Sequence, residues 1–246
     1  MTSHNQIRIA MWSGPRNIST AMMRSFENRT DTVVIDEPFY GCFLENSKLD
    51  HPGKKEVLLS QDCNWDNVVK MITGSIPNNK AIWYQKHMAQ HNIAGCELNW
   101  IKNFNNCFLI RNPKYVIPSY NKEFVITDER LLGYVQQHEL IKIIEEDTGS
   151  TPPIFDADDI LKNPKSILKK MCQSLGINFS NRMLSWPKGK RESDGVWAKY
   201  WYKNVETSTG FRPYKKKKII LEKKLMPLYE KCMIYYSDMY AKRKSI

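Results

Sequence analysis

The first twenty residues constrain the fold of this chain more than any other stretch. An apolar run of strand length, 7–12, stops near Gly14-Pro15, and a basic residue, two hydroxyl residues and a helix-like pattern follow it. A strand, a turn and a helix in this order form a cradle for an anion, because free backbone N–H groups and the positive end of the helix dipole point at the same place. The pattern predicts a phosphate-binding loop, and therefore nucleotide or phosphate chemistry.

Short apolar runs recur along the chain and alternate with segments of helical periodicity. The runs of strand length are 7–12, 33–35, 81–85, 107–110 and 153–155. The helical segments are 18–29, 65–75, 92–103, 113–125, 129–147, 164–175 and 219–241, the last of them kinked or divided at Pro227, and 41–64 is predicted to be a loop. This alternation predicts the α/β class, with a parallel sheet whose ligands bind at the carboxyl ends of the strands.

Length and cysteine usage indicate a single intracellular domain spanning 1–246. A chain of 246 residues is long enough to build its own core without disulfides. The six cysteines show neither C-x-x-C pairs nor zinc spacing, which predicts reduced thiols in a cytoplasmic protein. The first residues lack the features of a secretory signal, and no apolar run approaches 18 residues, so no membrane span is expected.

The formal net charge of +11 predicts attraction to polyanions without saying which kind. Much of this charge lies in a basic C-terminal segment, 215–246, which contains the runs Lys215–Lys218 and Lys242-Arg243-Lys244. A solvated helical face is the expected structure of these runs. No platform of interleaved aromatic and basic residues appears, so nucleic acid is not expected as a partner.

The predicted phosphate loop lacks two residues that a nucleoside triphosphatase requires. The loop of those enzymes reads G-x-x-x-x-G-K-[ST]. Here Ser19 and Thr20 follow Gly14 with neither the second glycine nor the lysine. Arg16 supplies instead a permanent cation whose planar donor fork suits phosphate or sulfate oxygens. A P-loop kinase or NTPase remains an alternative, as does a plain strand–turn–helix with Ser and Thr as helix caps.

Residues 15–20 resemble the loop P-[KR]-S-G-T-T of the sulfotransferases. The resemblance implies that Arg16, Ser19 and Thr20 bind the 5′-phosphosulfate of 3′-phosphoadenosine-5′-phosphosulfate (PAPS). Asn17, which stands where the family has serine, is counted with the binding residues. Ile18 replaces a glycine that lets the backbone approach the phosphate closely. This departure leaves open a third possibility, a catalytically silent nucleotide-binding module.

Two further segments resemble elements of the same family. Residues 108–120 are similar to R-[ND]-P-x-[DE]-x-x-x-S, which implies that Arg111 and Ser119 bind the 3′-phosphate. Residues 189–202 loosely resemble a late element that covers the nucleotide, which implies phosphate contacts from Lys190 and Arg191. A packed aromatic helix is the alternative for the end of that segment.

Acid–base residues follow two of the predicted strands. Asp36 and Glu37 come after the second strand, and Lys86, His87 and His91 come after the third. The resemblance implies a general base that is either a histidine after a lysine-containing strand end or a glutamate after the second strand. We predict His87 as the base because histidine titrates near neutral pH, with Glu37 next and His91 left open. Lys86 is expected to offset negative charge on the bridging oxygen.

The overall likeness is to a bacterial sulfotransferase-like group that also includes the N-terminal extension of plant proteins named after branched-chain aminotransferases. It implies a three-layer α/β P-loop fold, with a central parallel sheet flanked by helices. It also implies PAPS as sulfuryl donor, PAP as product, a hydroxyl or amine of a small molecule as acceptor, and no metal. The acceptor is expected to contact 41–64, 120–147 and the aromatic segment 197–202. Aminotransferase activity belongs to a separate domain and is not expected here.

Overall fold

The computed structural model describes residues 6–216 and 218–245. Within these residues the strands are β1 (Ile7–Ser13), β2 (Thr32–Asp36), β3 (Ile82–Met88), β4 (Asn105–Ile110) and β5 (Ile154–Asp156). They form one sheet in the order β2-β3-β1-β4-β5, and every neighbouring pair is parallel. The α/β class and the strands predicted by the apolar runs are therefore confirmed.

The helices cover both faces of this sheet. They are α1 (Ser19–Glu27), α2 (Tyr40–Asn46), α3 (Lys54–Ser60), α4 (Trp65–Thr73), α5 (Pro113–Tyr120), α6 (Tyr134–Thr148), α7 (Ala157–Lys162), α8 (Pro164–Ser174), α9 (Ala198–Trp201), α10 (Lys203–Glu206) and α11 (Met226–Lys242). Side chains alternate along β1, so Ala10 and Trp12 pack with α4, α6 and α11, whereas Ile9 and Met11 pack with α1 and α8. The predicted three-layer arrangement is confirmed.

Three predictions of local structure were wrong. Part of the predicted loop 41–64 is helical in α2 and α3, because apolar residues of these short helices pack against the aromatic segment around Trp197. The predicted helix 92–103 is reduced to a 3₁₀ turn, Asn99–Asn103. The C-terminal helix begins only at Met226 and is not divided at Pro227, because a proline in the first turn lacks only an N–H that has no intrahelical partner there.

The basic run of the C-terminal segment also differs from expectation. Lys215, Lys216 and Lys218 are exposed, as expected, but they lie in a stretch without helix, and Lys217 lies outside the described residues. Of the residues assessed for a secretory signal, 1–6, the first five lie outside them too. Across the described ranges, every helix falls short of the length and apolar character that crossing a bilayer requires.

Candidate active site

The phosphate loop connects β1 to α1 with an unusual backbone. Arg16 and Ile18 have left-handed φ values of 57° and 41°. Ile18 is the N-cap residue of α1, and no side chain caps the first turn of this helix. Because the first N–H groups of a helix have no intrahelical partner, the first turn presents free donors beside Ser19 and Thr20, which line a cavity.

Close packing holds the loop against the end of β4. A Cβ atom on Gly14 would overlap the backbone carbonyl oxygen of Leu132, so only glycine fits there. The Asn17 side chain donates from Nδ2 to the carbonyl oxygen of Leu109 at 2.5 Å. In the amide orientation that satisfies both neighbours, the Gln137 side-chain nitrogen donates to the same oxygen at 3.1 Å. The Gln137 side-chain oxygen then accepts from the Gly14 N–H at 3.3 Å. Asn17 therefore positions the loop with its side chain.

The two predicted anion-binding segments meet. Arg111 directly follows β4, and its Nη1 donates to the backbone carbonyl oxygen of Arg16 at 2.9 Å. Arg16 in turn donates from Nε to the Ser119 hydroxyl oxygen in α5 at 3.0 Å. The Nε of Arg111 is buried and has no hydrogen-bond partner within the described part of the chain. These three residues form one cationic surface with unused donors.

This surface borders a cavity of about 650 Å³ at the carboxyl end of the sheet. At one end the cavity is lined by the residues predicted to bind an anion, Arg16, Asn17, Ser19, Thr20, Arg111 and Ser119. Its acid–base residues are Glu37, Lys86 and His91, and its aromatic wall contains Tyr40, His51, Tyr120, Trp201 and Tyr202. A further wall comes from the segment that contains Arg212, Tyr214 and Lys215. The cavity thus brings cations, a carboxylate and an aromatic surface together.

Glu37 and Lys86 are in direct contact beneath the phosphate loop. Lys86 Nζ donates to Glu37 Oε1 and to Asp36 Oδ1, the latter at 2.8 Å, and all three residues are buried. Burial disfavours the ammonium, but the two carboxylates outweigh it and hold the pKa of Lys86 well above its usual value. Burial raises the pKa of the Glu37 carboxyl. The negative charge of Asp36 adds to this rise, and the positive charge of Lys86 opposes it. The raised pKa moves Glu37 towards the range of a general base.

His87 points away from the cavity, so the structure does not support its predicted role as base. β3 extends to Met88, three residues beyond the predicted strand, and side chains alternate along it. Lys86 therefore faces the cavity, whereas His87 packs on the opposite side, against Trp12 and Trp100. Burial lowers the pKa of His87 to about 3, which keeps the imidazole neutral.

His91, the alternative histidine, does line the cavity. Its Nε2 lies 3.9 Å from Glu37 Oε2, and its ring stacks on Tyr40 with centroids 4.7 Å apart. Burial, with added repulsion from His51, Lys86 and His87, holds the pKa of His91 well below its usual value. His91 is therefore a neutral neighbour of Glu37.

Lys190 and Arg191 are not among the residues that line the cavity. Arg191 Nε lies 3.7 Å from Glu27 Oε2 at the end of α1, and its Nη2 donates to the carbonyl oxygen of Pro187. The cations on this wall are Arg212 and Lys215, which sequence reasoning missed. The signal was the alternation of aromatic and basic residues in 211–215, of which only Lys215 falls in the predicted basic segment 215–246.

Comparison with known proteins gives matches over most of the chain. The family model described as "Sulfotransferase domain" matches residues 7–243. Two curated relatives from Arabidopsis thaliana are Branched-chain-amino-acid aminotransferase-like proteins 1 and 2, with 39% and 34% identity over 212 and 242 residues. The matches cover 85% and 96% of this chain but only 37% and 42% of the relatives. The chain thus spans about two-fifths of the length of these relatives.

Solved structures with the same fold include the sulfotransferase domain from the curacin biosynthetic pathway, with a TM-score of 0.55 and 16% identity, covering 99% of this chain and 100% of that one. A sulfotransferase from Alicyclobacillus acidocaldarius has a TM-score of 0.53 and 9% identity, with 97% of both chains covered. At these identities the likeness shows the fold alone. The family match, however, spans nearly the whole sequence, including the loop after β1, the residues that line the cavity and the acid–base residues. The chain therefore belongs to the sulfotransferase domain family.

Proposed function

We propose that this chain transfers a sulfuryl group from PAPS to a hydroxyl or amine of a small-molecule acceptor, releasing PAP. The observation that carries the proposal is the convergence of Arg16 and Arg111, which are 95 positions apart, on one cavity with Ser119. Within the described residues neither guanidinium has a carboxylate partner at salt-bridge distance, so both can bind an anion.

The residues at this end of the cavity fit a donor with two separate anionic groups. The uncapped first turn of α1, with Arg16, Ser19 and Thr20, suits the 5′-phosphosulfate. Arg111, whose buried Nε lacks a partner, suits the 3′-phosphate together with Ser119. Arg212 and Lys215 line the neighbouring wall and take the covering role that the sequence assigned to Lys190 and Arg191.

We assign the base to Glu37 in place of His87. Bound PAPS supplies the sulfuryl group, and in such a loose, in-line transfer the protein contributes mainly position and charge. Glu37 lines the cavity, and burial raises its pKa, so its carboxylate can take the proton of the acceptor. Lys86 holds Oε1 of Glu37 and places a positive charge beside the reaction.

The aromatic wall suits a flat and moderately apolar acceptor. Tyr120 and Trp201 stack with centroids 6.5 Å apart, and Tyr40 bonds to His51 at 2.9 Å. Burial lowers the pKa of His51 to about 4, so this wall is uncharged at neutral pH. Apolar walls with few polar groups are typical of small-molecule sites.

We also propose that residues 1–246 form a single functional unit. The protein is expected to work in a reducing compartment such as the cytoplasm. The family match over residues 7–243 supports one unit. All six cysteines are free thiols, and Cys42, Cys107, Cys172 and Cys232 are buried, which suits a protein that does not depend on disulfides.

Calorimetry with PAP, ATP and GTP, with and without magnesium, tests the donor. We expect PAP to bind without magnesium, and Arg16→Ala and Arg111→Ala each to weaken it by about 10–100-fold, because each removes a charge-assisted hydrogen bond. Arg130→Ala, which removes an exposed arginine paired with Glu139, is the matched control. Magnesium-dependent ATP binding would instead favour a kinase or NTPase.

A transfer assay tests the chemistry. The protein is incubated with labelled PAPS and a metabolite extract, and sulfated products are detected by mass. Glu37→Gln should lower the rate by about 10²–10⁴-fold while PAP still binds. PAP binding with no transfer to any acceptor would favour a silent nucleotide-binding module.

A further inference from the structure

Lys86 is held by three oxygen atoms at the base of the cavity. Its Nζ lies 2.8 Å from Asp36 Oδ1 and 2.7 Å from the Tyr202 hydroxyl oxygen, and it also contacts Glu37 Oε1. An ammonium group has three donors, so all of them are used. The lysine cannot rotate towards another partner without losing a buried hydrogen bond.

Asp36 is saturated with hydrogen bonds and is not among the residues that line the cavity. Its Oδ2 lies 2.7 Å from the Tyr202 hydroxyl and accepts from the Gly195 N–H at 3.3 Å. Trp197 Nε1 and Lys86 Nζ both donate to the Tyr202 oxygen, at 3.2 and 2.7 Å. The hydroxyl hydrogen is therefore left to be donated to Asp36. Lys86, the Tyr202 hydroxyl and the Gly195 N–H are thus three donors to this carboxylate.

Glu37, the adjacent carboxylate, is open on one side. Its Oε1 accepts from Lys86, and its backbone N–H donates to the Lys86 carbonyl oxygen at 3.0 Å. Its Oε2 has His91 Nε2 as a neighbour at 3.9 Å, which is beyond hydrogen-bond distance. Glu37 lines the cavity, so a ligand can reach this carboxyl group.

The charges of the cluster do not balance. One ammonium faces two carboxylates, which leaves one excess negative charge in a buried site. The titratable groups that face Glu37 are Asp36 from β2, Lys86 from β3, His91 from the turn after β3, Tyr40 from α2, Tyr120 from α5, and Tyr202 after α9. Burial favours the neutral imidazole of His91 and raises the pKa of the three tyrosines, so among these groups Lys86 supplies the positive charge that faces the two carboxyl groups.

We propose that Asp36 and Tyr202 are positioning residues that fix Lys86 as a permanent counter-charge and leave Glu37 as the one carboxyl of the cluster that exchanges its proton with the cavity. The role assigned to this proton rests on the proposed function of Glu37 as the base. In transfer, the acceptor proton moves to Glu37 Oε2 as the acceptor oxygen or nitrogen bonds to sulfur and the phosphate oxygen leaves. Lys86 keeps its proton throughout, and Asp36 takes no part in the exchange because its oxygens already accept hydrogen bonds and it does not line the cavity.

The proton on Glu37 can be followed without any acceptor. The full chain is labelled with ¹³C at the glutamate side-chain carboxyl and titrated by NMR, and the Glu37 signal is the one that Glu37→Gln removes. Asp36→Asn removes the charge that shares Lys86, so the Glu37 midpoint should move to lower pH by about one unit or more. Tyr202→Phe removes a hydroxyl that also lies 3.5 Å from Glu37 Oε1 and lowers the pKa of Glu37, so the midpoint should move to higher pH. Tyr200→Phe, an exposed neighbour, should leave it unchanged.

Opposite shifts support the inference, because a general loosening of the fold would not move the midpoint in two directions. Unchanged midpoints in both variants overturn it. If Asp36→Asn does not fold, Tyr202→Phe decides: an upward shift supports the inference, and no shift or a downward shift overturns it. Failure of the proposed function would be distinguishable from failure of this inference, because it would appear as transfer activity retained in Glu37→Gln and not as a change in the titration midpoints.

Discussion

The rings of Trp12 and His87 pack against each other, with centroids 4.6 Å apart and planes inclined by 31°, from directly paired positions of β1 and β3. Trp12 also donates from Nε1 to Asn106 Oδ1 at 2.9 Å, and the Phe39 ring lies 5.9 Å from the imidazole, centroid to centroid. The histidine that the sequence suggested as a base is thus part of the core beneath the site. Substitution of His87 should therefore have effects that differ from those of substituting a catalytic residue.

The variant His87→Leu should affect stability more than chemistry. Leucine keeps the buried site apolar but loses the packing of the imidazole against the neighbouring aromatic rings, which we expect to cost about 1–2 kcal/mol of unfolding free energy. Transfer by the folded variant should stay close to that of the wild type, in contrast to Glu37→Gln. Urea denaturation and the transfer assay measure the two effects. A loss of transfer comparable to that of Glu37→Gln in the folded variant would return the base to His87.

Acid should destabilise the wild type more steeply than His87→Leu. Burial lowers the pKa of His87 to about 3, whereas an unfolded histidine titrates near 6.5. As the pH falls below about 6.5, the unfolded chain binds a proton that the folded chain does not, so the unfolding free energy of the wild type falls. Other groups that titrate in this range, such as Asp156 with its raised pKa of about 6, are present in both proteins. Their contributions therefore cancel in the difference between the two unfolding free energies.

The measurement for this prediction is urea denaturation of both proteins at pH 7, 6 and 5. The stability advantage of the wild type should shrink at each step towards acid. A constant difference across this range would mean that His87 titrates normally in the folded protein.

Backbone strain at Ile18 should make glycine better than alanine at this position. Both variants lose the packing of the isoleucine side chain against the core, but only glycine adopts the φ of 41° without cost. We expect Ile18→Gly to be more stable than Ile18→Ala by about 1 kcal/mol, the reverse of the usual order in a helix. Thermal or urea denaturation of the pair tests this, and an alanine variant of equal or greater stability would contradict it.

Arg212 should contribute to PAP binding more than Arg191. Arg212 lines the cavity, whereas Arg191 contacts Glu27 and Pro187 elsewhere. We expect Arg212→Ala to weaken PAP binding by about 3–10-fold, since the side chain is exposed and its charge is screened, and Arg191→Ala to change it little. Calorimetry at low and high salt should show the Arg212 effect shrinking as salt rises. Equal effects of both variants would restore the sequence-based assignment.

Local patterns in the sequence were sufficient for the strand–turn–helix unit of β1 and α1 and for the sheet. The signals for β1, the turn at Gly14 and the helix that begins at Ser19 lie within about twenty neighbouring residues, so short-range chemistry determines them. The expectation that the segments around Arg16 and Arg111 converge followed from a general property of parallel sheets, whose strand ends meet at one edge. Their direct contact agrees with that expectation.

The helices α2 and α3 show where local patterns failed. Glycine and polar residues in 41–64 resemble a loop, yet Tyr40 and Leu44 of α2 are buried by Trp197 and Tyr202, more than 150 positions later. Short helices of this kind owe their stability to such packing and not to their own sequence.

The sequence by itself thus determined the fold class, the strand–turn–helix unit of β1 and α1 and the presence of a lysine and a glutamate near it. Only the tertiary structure decided which of the acid–base residues face the cavity, because three extra residues of β3 set the alternation that turns Lys86 inward and His87 away. It also decided that Asp36 and Tyr202, 166 positions apart, meet at Lys86. Contacts at that separation depend on the packing of the whole chain, which no local pattern encodes.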